Sequence, residues 1–260
     1  MQKENAQSIA VTFFGEEPTL ATQAATLATK LGLALVARAD DSHPFLLVQT
    51  VSRLELQRTG PESPGPVFVD FTDAGLQYRL KHGGGVRQTL ARAVGIKAGR
   101  RPDILDATAG FGKDSFILAS LGCRVVMCER SPILATLLDD GLKRGLLDDA
   151  VQPIIQERLQ LIPGNSIDIM RSLPAVDRPQ VVYLDPMFPH RRKKALVKKE
   201  MQLLQQLLGE DLDSADLLSA ALDTARERVV VKRPRTALPL VGRKPDTTMQ
   251  SPHHRFDIYF

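Results

Sequence analysis

Between residues 103 and 231 short β-branched runs alternate with helical stretches, and this rhythm constrains the fold more than any other feature of the chain. The segments 103–106, 124–128, 159–162, 181–184 and 229–231 read as strands, and 113–121, 132–145, about 194–208 and 214–226 read as helices. Strands separated by helix-length crossovers pair in parallel, and right-handed crossovers place the helices on both faces. The expected fold is therefore α/β, an open and mostly parallel sheet flanked by helices. The helix at 132–145 has clear signals: Ser131 as N-cap, Pro132 at the first helical position, and an apolar stripe of Leu134, Leu137, Leu138 and Gly141.

The first part of the chain has a different texture. Strand-like runs at Ile9–Phe14, Phe45–Val48, Leu54–Leu56 and Val67–Val69 accompany one helix over Thr19–Leu31, and the stretch 59–66 is a loop because it carries three prolines and two glycines in eight residues. A small N-terminal α/β subdomain over residues 1–75 is expected, followed after a basic helical segment at 86–94 by a larger domain over 76–260. With 260 residues the chain is long enough to bury a substantial core. Cys123 and Cys128 are separated by an odd number of positions on one strand-like segment, so they point to opposite faces and should not form a disulfide. The N-terminus lacks a signal-like apolar core and no apolar run nears the roughly 18 residues of a membrane span, so a soluble, cytoplasmic protein is expected.

In an open α/β sheet a ligand lies beyond the carboxyl ends of the central strands, where glycines let backbone approach it. Asp106-Ala107-Thr108-Ala109-Gly110-Phe111-Gly112 occupies that place, and Gly110 to Ser115 imitates a dinucleotide fingerprint with Ser in the third small position. Alone that signal is weak. Glu129 strengthens it, because it ends the second strand nineteen residues after Gly110 and can accept hydrogen bonds from both hydroxyls of a ribose. Asn165 and Ser166 follow the third strand with groups suited to an adenine edge, although an N-cap would use them equally well.

Asp185-Pro186-Met187-Phe188-Pro189 follows the strand at 181–184 directly and sets an acid, a fixed turn and an aromatic at one strand end. A nucleobase amine is a poor nucleophile because its lone pair is delocalised into the ring. Acceptors on its hydrogens, here the Asp185 carboxylate and the Pro186 carbonyl, would favour a pyramidal nitrogen, while Phe188 offers a stacking face. A base inside a helix cannot reach such a pocket, so the target must be unpaired or flipped out. The bland alternative is a proline-set turn with Phe188 in the core.

The net charge is only +4, but the basic residues are clustered. His190-Arg191-Arg192-Lys193-Lys194 and then Lys198-Lys199 follow the acid, and Lys232 and Arg233 end the strand at 229–231, so these groups are candidates for holding RNA phosphates. His82-Gly83-Gly84-Gly85 resembles an esterase oxyanion loop, but the chain has no G-x-S-x-G elbow and a hinge explains the glycines better. His253-His254 has no partner cluster, and no metal site is expected.

With these residues in view the sequence resembles the bacterial ribosomal small subunit methyltransferase J family. The resemblance runs from about Val67 to Tyr259 and is carried by Gly83-Gly84-Gly85, Asp106-Ala107-Thr108-Ala109-Gly110, Glu129-Arg130, Tyr183 to Pro189, Val229 to Pro234 and His254 to Tyr259. It implies a Rossmann-like class I methyltransferase fold and S-adenosylmethionine as methyl donor. It also implies the N2 amine of a guanine in 16S ribosomal RNA, free or within the small subunit, as acceptor. Cofactor contacts implied in the same way fall on Lys113, Asp114, Glu129, Arg130, Asn165, Ser166 and Asp185, and the glycine turn itself adds Asp106 and Gly110. Many relatives carry Arg where Lys113 stands, and Met187 departs from the Asp-Pro-Pro-aromatic form of other amino-methyltransferases. Two other readings of the residues stand beside this one. A nucleotide-dependent oxidoreductase would use the same glycine turn but leave Asp185 to Phe188 unexplained, and a non-catalytic RNA-binding module would need no ribose carboxylate.

Overall fold

The structure is a computed structural model that describes residues 8–37, 42–60, 63, 65–186, 213–238, 240, 243–252 and 254–260. Its first sheet contains β1 (Ile9–Phe14), β2 (Ala34–Leu35), β3 (Phe45–Thr50) and β4 (Leu54–Arg58) in the order β2-β1-β3-β4. β1 runs parallel to β2 and β3, while β4 returns antiparallel on β3. The crossover between β1 and β2 is α1 (Pro18–Leu31), which buries Leu20, Ala24 and Ala28, spaced one turn apart. Gly32 ends α1 in the left-handed region at φ 66° and caps it by donating its N–H to the Ala28 and Thr29 carbonyls.

Val67–Val69 does not form the expected strand. Only Val67 pairs, exchanging backbone hydrogen bonds of 2.8 and 2.9 Å with Leu56. Pro66 has no N–H to give, and the Val69 carbonyl accepts from the Arg144 guanidinium instead of a neighbouring strand. The expected continuous helix at 86–94 is likewise broken. Gly84 and Gly85 hold positive φ, a single 3-10 turn covers Gly85–Arg87, and extended Gln88 precedes α3 (Thr89–Ala93). α2 (Ala74–His82), absent from the sequence reading, starts on an Asp73 side chain that accepts from the Leu76 N–H at 3.0 Å.

The second sheet contains β5 (Ile104–Asp106), β6 (Val125–Glu129), β7 (Leu159–Pro163), β8 (Val181–Leu184), β9 (Arg228–Pro234), β10 (Thr247–Gln250) and β11 (His254–Tyr259). Its order is β10-β11-β9-β8-β5-β6-β7, with β5 to β9 parallel and the last two strands antiparallel. The helices are α4 (Lys113–Ser120), α5 (Pro132–Gly145), α6 (Gln152–Arg158), α7 (Ser166–Ser172) and α8 (Ser214–Thr224). The chain builds β5, β6 and β7 outward in one direction and then returns to lay β8 on the other side of β5. The strand order therefore reverses between β5 and β8, and their carboxyl ends open the crevice where ligands bind in such sheets. The expected helix at 194–208 lies outside the described residues.

Apolar side chains fill both faces. Cys123 packs into the cluster with Phe116, Leu134 and Tyr183, and Cys128 into the cluster with Val182, Leu184 and Leu218. Both thiols are free, and burial pushes that of Cys123 up to about 11. Leu54, Leu56 and Val69 belong to the same cluster as Leu134 and Leu138, so the first sheet shares its core with α5. Ser131 caps α5 by accepting from the Leu134 N–H at 3.2 Å, and Gly141 lets the helix approach Val69 so closely that a Cβ there would lie 2.5 Å from Val69 Cγ1. Gly141→Leu is expected to destabilise the protein by roughly 1–3 kcal/mol through overpacking. A thermal melt checks this, and an unchanged midpoint would mean that Val69 moves aside freely. No helix among the described residues is long and apolar enough to cross a membrane.

Candidate active site

The turn after β5 is pinned from both sides of the reversal point. Ala107 donates its N–H to the Tyr183 carbonyl of β8 at 3.0 Å, and Ala109 donates to the Cys128 carbonyl of β6 at 3.0 Å. Below it, the buried Asp106 carboxylate accepts from the Thr108 N–H at 3.1 Å and from the Ser115 hydroxyl of α4. Burial raises the Asp106 carboxyl to about 7, against the pull of those two donors. Asp106 is thus a strut of the turn, with both oxygens engaged inside the protein. Gly110 and Gly112 take left-handed φ of 54° and 69°. A Cβ on Gly112 would meet Leu138 at 2.9 Å, whereas a Cβ on Gly110 would have only the Thr108 carbonyl, at 4.0 Å, for a neighbour. Gly112 is demanded by packing, and Gly110 faces the open crevice.

Glu129 closes the far side of that crevice. Its Oε2 accepts from the Gly110 N–H and its Oε1 from the Ser131 N–H, both at 2.8 Å. The carboxylate thereby fixes the glycine turn to the end of β6. Open space before Gly110, a carboxylate at the end of the second strand and the N-terminus of α4 fit an adenosyl cofactor. Glu129→Gln turns an amide NH2 toward one of those N–H donors. It is expected to weaken S-adenosylmethionine binding by about tenfold, the loss of one charge-assisted hydrogen bond. Calorimetric titration checks this, and unchanged affinity would remove Glu129 from the site.

A second network joins four elements around Asp185. The Asp185 N–H donates to the Thr108 hydroxyl at 2.6 Å, tying the end of β8 to the glycine turn. Lys232, at the end of β9, donates from its ammonium to Asp185 Oδ2 and to Asp114 Oδ2, both at 2.8 Å. Asp114 also accepts from the Tyr183 hydroxyl at 2.8 Å and from Arg79 of α2 at 3.2 Å. Burial would raise the Asp114 carboxyl, but Lys232 first and Arg79 second hold it well below the usual carboxylate range. Burial also works against the Lys232 ammonium, yet Asp114 and Asp185 together keep its pKa above that of an ordinary lysine. The Asp185 carboxyl is raised by burial, with Lys232 pulling the other way, although 39% of its side chain remains open at the crevice mouth.

These placements revise several expectations. Lys232 and Arg233 do not form an outward basic track: Lys232 is an internal counter-ion, and Arg233 is 5% exposed and donates to the Leu238 carbonyl. Asp114 likewise is enclosed and spends both oxygens on protein donors. Lys113 lies over the Phe111 ring at 5.7 Å. Arg130 grips Asp213, at the start of α8, through contacts of 3.0 and 2.8 Å. Asn165 caps α7 by accepting from the Ile167 N–H at 2.9 Å, and Ser166 is buried behind it. Pro186 is described beside Asp185, whereas Phe188, Arg191, Arg192, Lys193, Lys194 and Lys198 lie outside the described residues. Sequence reasoning missed Thr108, Tyr183 and Arg79.

A doubly wound sheet with a glycine turn after its first strand, a carboxylate closing the second and an acid at the end of the fourth has the build of an S-adenosylmethionine-dependent methyltransferase. In keeping with this, the family model described as "Putative SAM-dependent methyltransferase" matches residues 26–260. A solved SAM-dependent methyltransferase from Neisseria gonorrhoeae superposes with a TM-score of 0.74 at 36% identity, covering 96% of this chain and 95% of that one. The chain belongs to the ribosomal RNA small subunit methyltransferase J family. It is 48% identical over 244 residues to the member from Aeromonas salmonicida, covering 94% of this chain and 95% of that protein. It is 50% identical over 242 residues to the member from Dechloromonas aromatica, covering 93% and 96%.

Proposed function

We propose that this protein methylates small-subunit ribosomal RNA at a base amine, and that the amine is N2 of a guanine. The observation that carries this reading is the placement of Asp185, held at the reversal point by Thr108 and Lys232 within the same crevice as the cofactor turn. S-adenosylmethionine, when bound, supplies a methyl carbon already activated on a positively charged sulfur. The chain's own task is to orient and polarise the acceptor. Lys232 occupies Asp185 Oδ2, which leaves Oδ1 to accept a hydrogen from the incoming amine, with the Pro186 carbonyl as second acceptor. Drawing on both hydrogens localises the nitrogen lone pair and stabilises the positive charge it gains. The surplus proton then passes to the carboxylate and on to water. Arg191, Arg192, Lys193, Lys194 and Lys198, which follow in sequence, are assigned to phosphates around the flipped base, with Phe188 stacking on it. A ribosomal substrate also implies a cytoplasmic location.

The test is to incubate the protein with tritiated S-adenosylmethionine and small subunits or 16S RNA from a strain lacking it, then digest to nucleosides. Label in N2-methylguanosine is expected. Label in another nucleoside would overturn the guanine assignment, and no label in either RNA form would overturn the reading as a whole.

A further inference from the structure

One surface takes no part in the fold's core or in the crevice. From Ala74 to Pro102 the chain contains no acid, yet it carries Arg79, Lys81, Arg87, Arg92, Lys97, Arg100 and Arg101. The last of these are absorbed at the amino end of the sheet, away from the crevice. Arg100 pairs with Glu227, just before β9, and Arg101 donates to the Leu121 and Lys97 carbonyls. The earlier ones belong to α2 and the glycine turn after it. There Tyr78 is 65% exposed and stacks on His82, with ring centroids 4.3 Å apart and planes 26° from parallel. His82 Nδ1 also lies 3.2 Å from the Tyr78 carbonyl, which fixes the ring against its own helix.

We propose that Tyr78, Lys81, His82 and Arg87 form a second RNA-contacting surface, the ring pair serving as a stacking platform for an unpaired base and the two cations holding its flanking phosphates. An aromatic stack left in water, with the exposed cations Lys81 and Arg87 following it and no acid in the chain from Ala74 to Pro102, matches the chemistry of single-stranded or looped RNA. Such RNA offers a π face and a phosphate at each step, whereas a paired helix hides its base faces. The platform is also tied to the catalytic crevice. Arg79, the residue after Tyr78, bonds Asp114, which bonds the same Lys232 that holds Asp185. RNA seated on α2 would therefore be held in fixed relation to the base that enters the crevice.

This inference rests on the RNA-methylation reading above, so the experiment measures binding and transfer separately. Binding of deproteinised 16S ribosomal RNA is measured by filter retention over a range of salt, for the wild-type chain, Tyr78→Ala, the pair Lys81→Ala with Arg87→Ala, and Lys97→Ala. Loss of one stacked base weakens binding by about tenfold. Loss of two phosphate contacts lowers the slope of log affinity against log salt by about 1.4, at roughly 0.7 per single-strand contact. Lys97→Ala, at the opposite end of the sheet, should match wild type, and S-adenosylmethionine affinity should be unchanged in every variant. If Tyr78→Ala and the paired variant bind like wild type, the surface is refuted. If wild type binds but transfers no methyl to either RNA form, the methylation reading fails while the binding data still judge the surface. If wild type does not bind the RNA, the surface is refuted, while methyl transfer to small subunits still judges the methylation reading.

Discussion

Asp185→Ala is expected to lower kcat for methyl transfer by a factor of about 10²–10⁴, the range for removing a positioned proton acceptor. The variant should remain folded. Lys232 keeps Asp114 as a partner at 2.8 Å, and Thr108 keeps its bond to the residue 185 N–H because that donor is backbone. Asp185→Asn should be nearly as inactive, since it removes the charge and can turn an NH2 toward the Lys232 ammonium. Single-turnover assays with saturating RNA and S-adenosylmethionine separate this from a binding defect. Transfer within about threefold of wild type would show that the amine is polarised elsewhere.

The parallel sheet was legible because its signals are local. Ser131-Pro132 marked the start of α5 correctly, and the apolar run Val181–Leu184 gave β8 to the residue. The glycine turn was legible for the same reason, since Gly110 and Gly112 sit where a chain must leave a strand in a left-handed conformation. What the sequence concealed was lateral. Lys232 read as part of a basic run because Arg233 and Arg235 adjoin it, whereas its partner lies forty-seven positions earlier. Leu184 pairs with Val231 across parallel β8 and β9, so the next residues, Asp185 and Lys232, fall side by side. That register follows from the strand order, and no local pattern encodes it. Period-two alternation still held a clue: Lys232 shares a face with Val230, which packs in the same cluster as Tyr183, so a lysine there points toward the acid and not toward solvent. Of the expected elements, the strand at 67–69 and the unbroken helix at 86–94 did not form, because Pro66, Arg144 and two left-handed glycines overrode propensity.

Lys232→Met is the second change with a large expected effect, and its signature is a shift of the pH profile. The charged and titratable groups around Asp185 are Lys232, Asp114, Tyr183, Asp106 and His254. Burial already raises the Asp185 carboxyl, and Lys232 is the strongest influence holding it down. Without the ammonium the carboxyl must rise further, so the acid limb of kcat/KM moves to higher pH and the loss of activity is greater at about pH 6 than at about pH 8. The variant should also be less stable, by roughly 3–5 kcal/mol or somewhat less, because Asp114 keeps Arg79 while losing its nearest cation. Stability cannot imitate the kinetic shift. Lys232 has a raised pKa, so its contribution is fully present below the ordinary lysine value of 10.5 and fades only as pH climbs through the folded value. Asp114 has a depressed one, so its contribution is fully present above the ordinary 3.8 and fades only as pH falls through its folded value. Both windows lie outside the range in which activity is compared, and any rise of Asp114 in the variant costs stability as pH climbs, the opposite sense to the kinetic shift. Lys232→Arg restores a cation between the two carboxylates and should return the acid limb toward wild type, even if bond lengths differ. A Lys232→Met enzyme with an unshifted pH profile would reduce Lys232 to a packing element and leave the ionisation of Asp185 to another group.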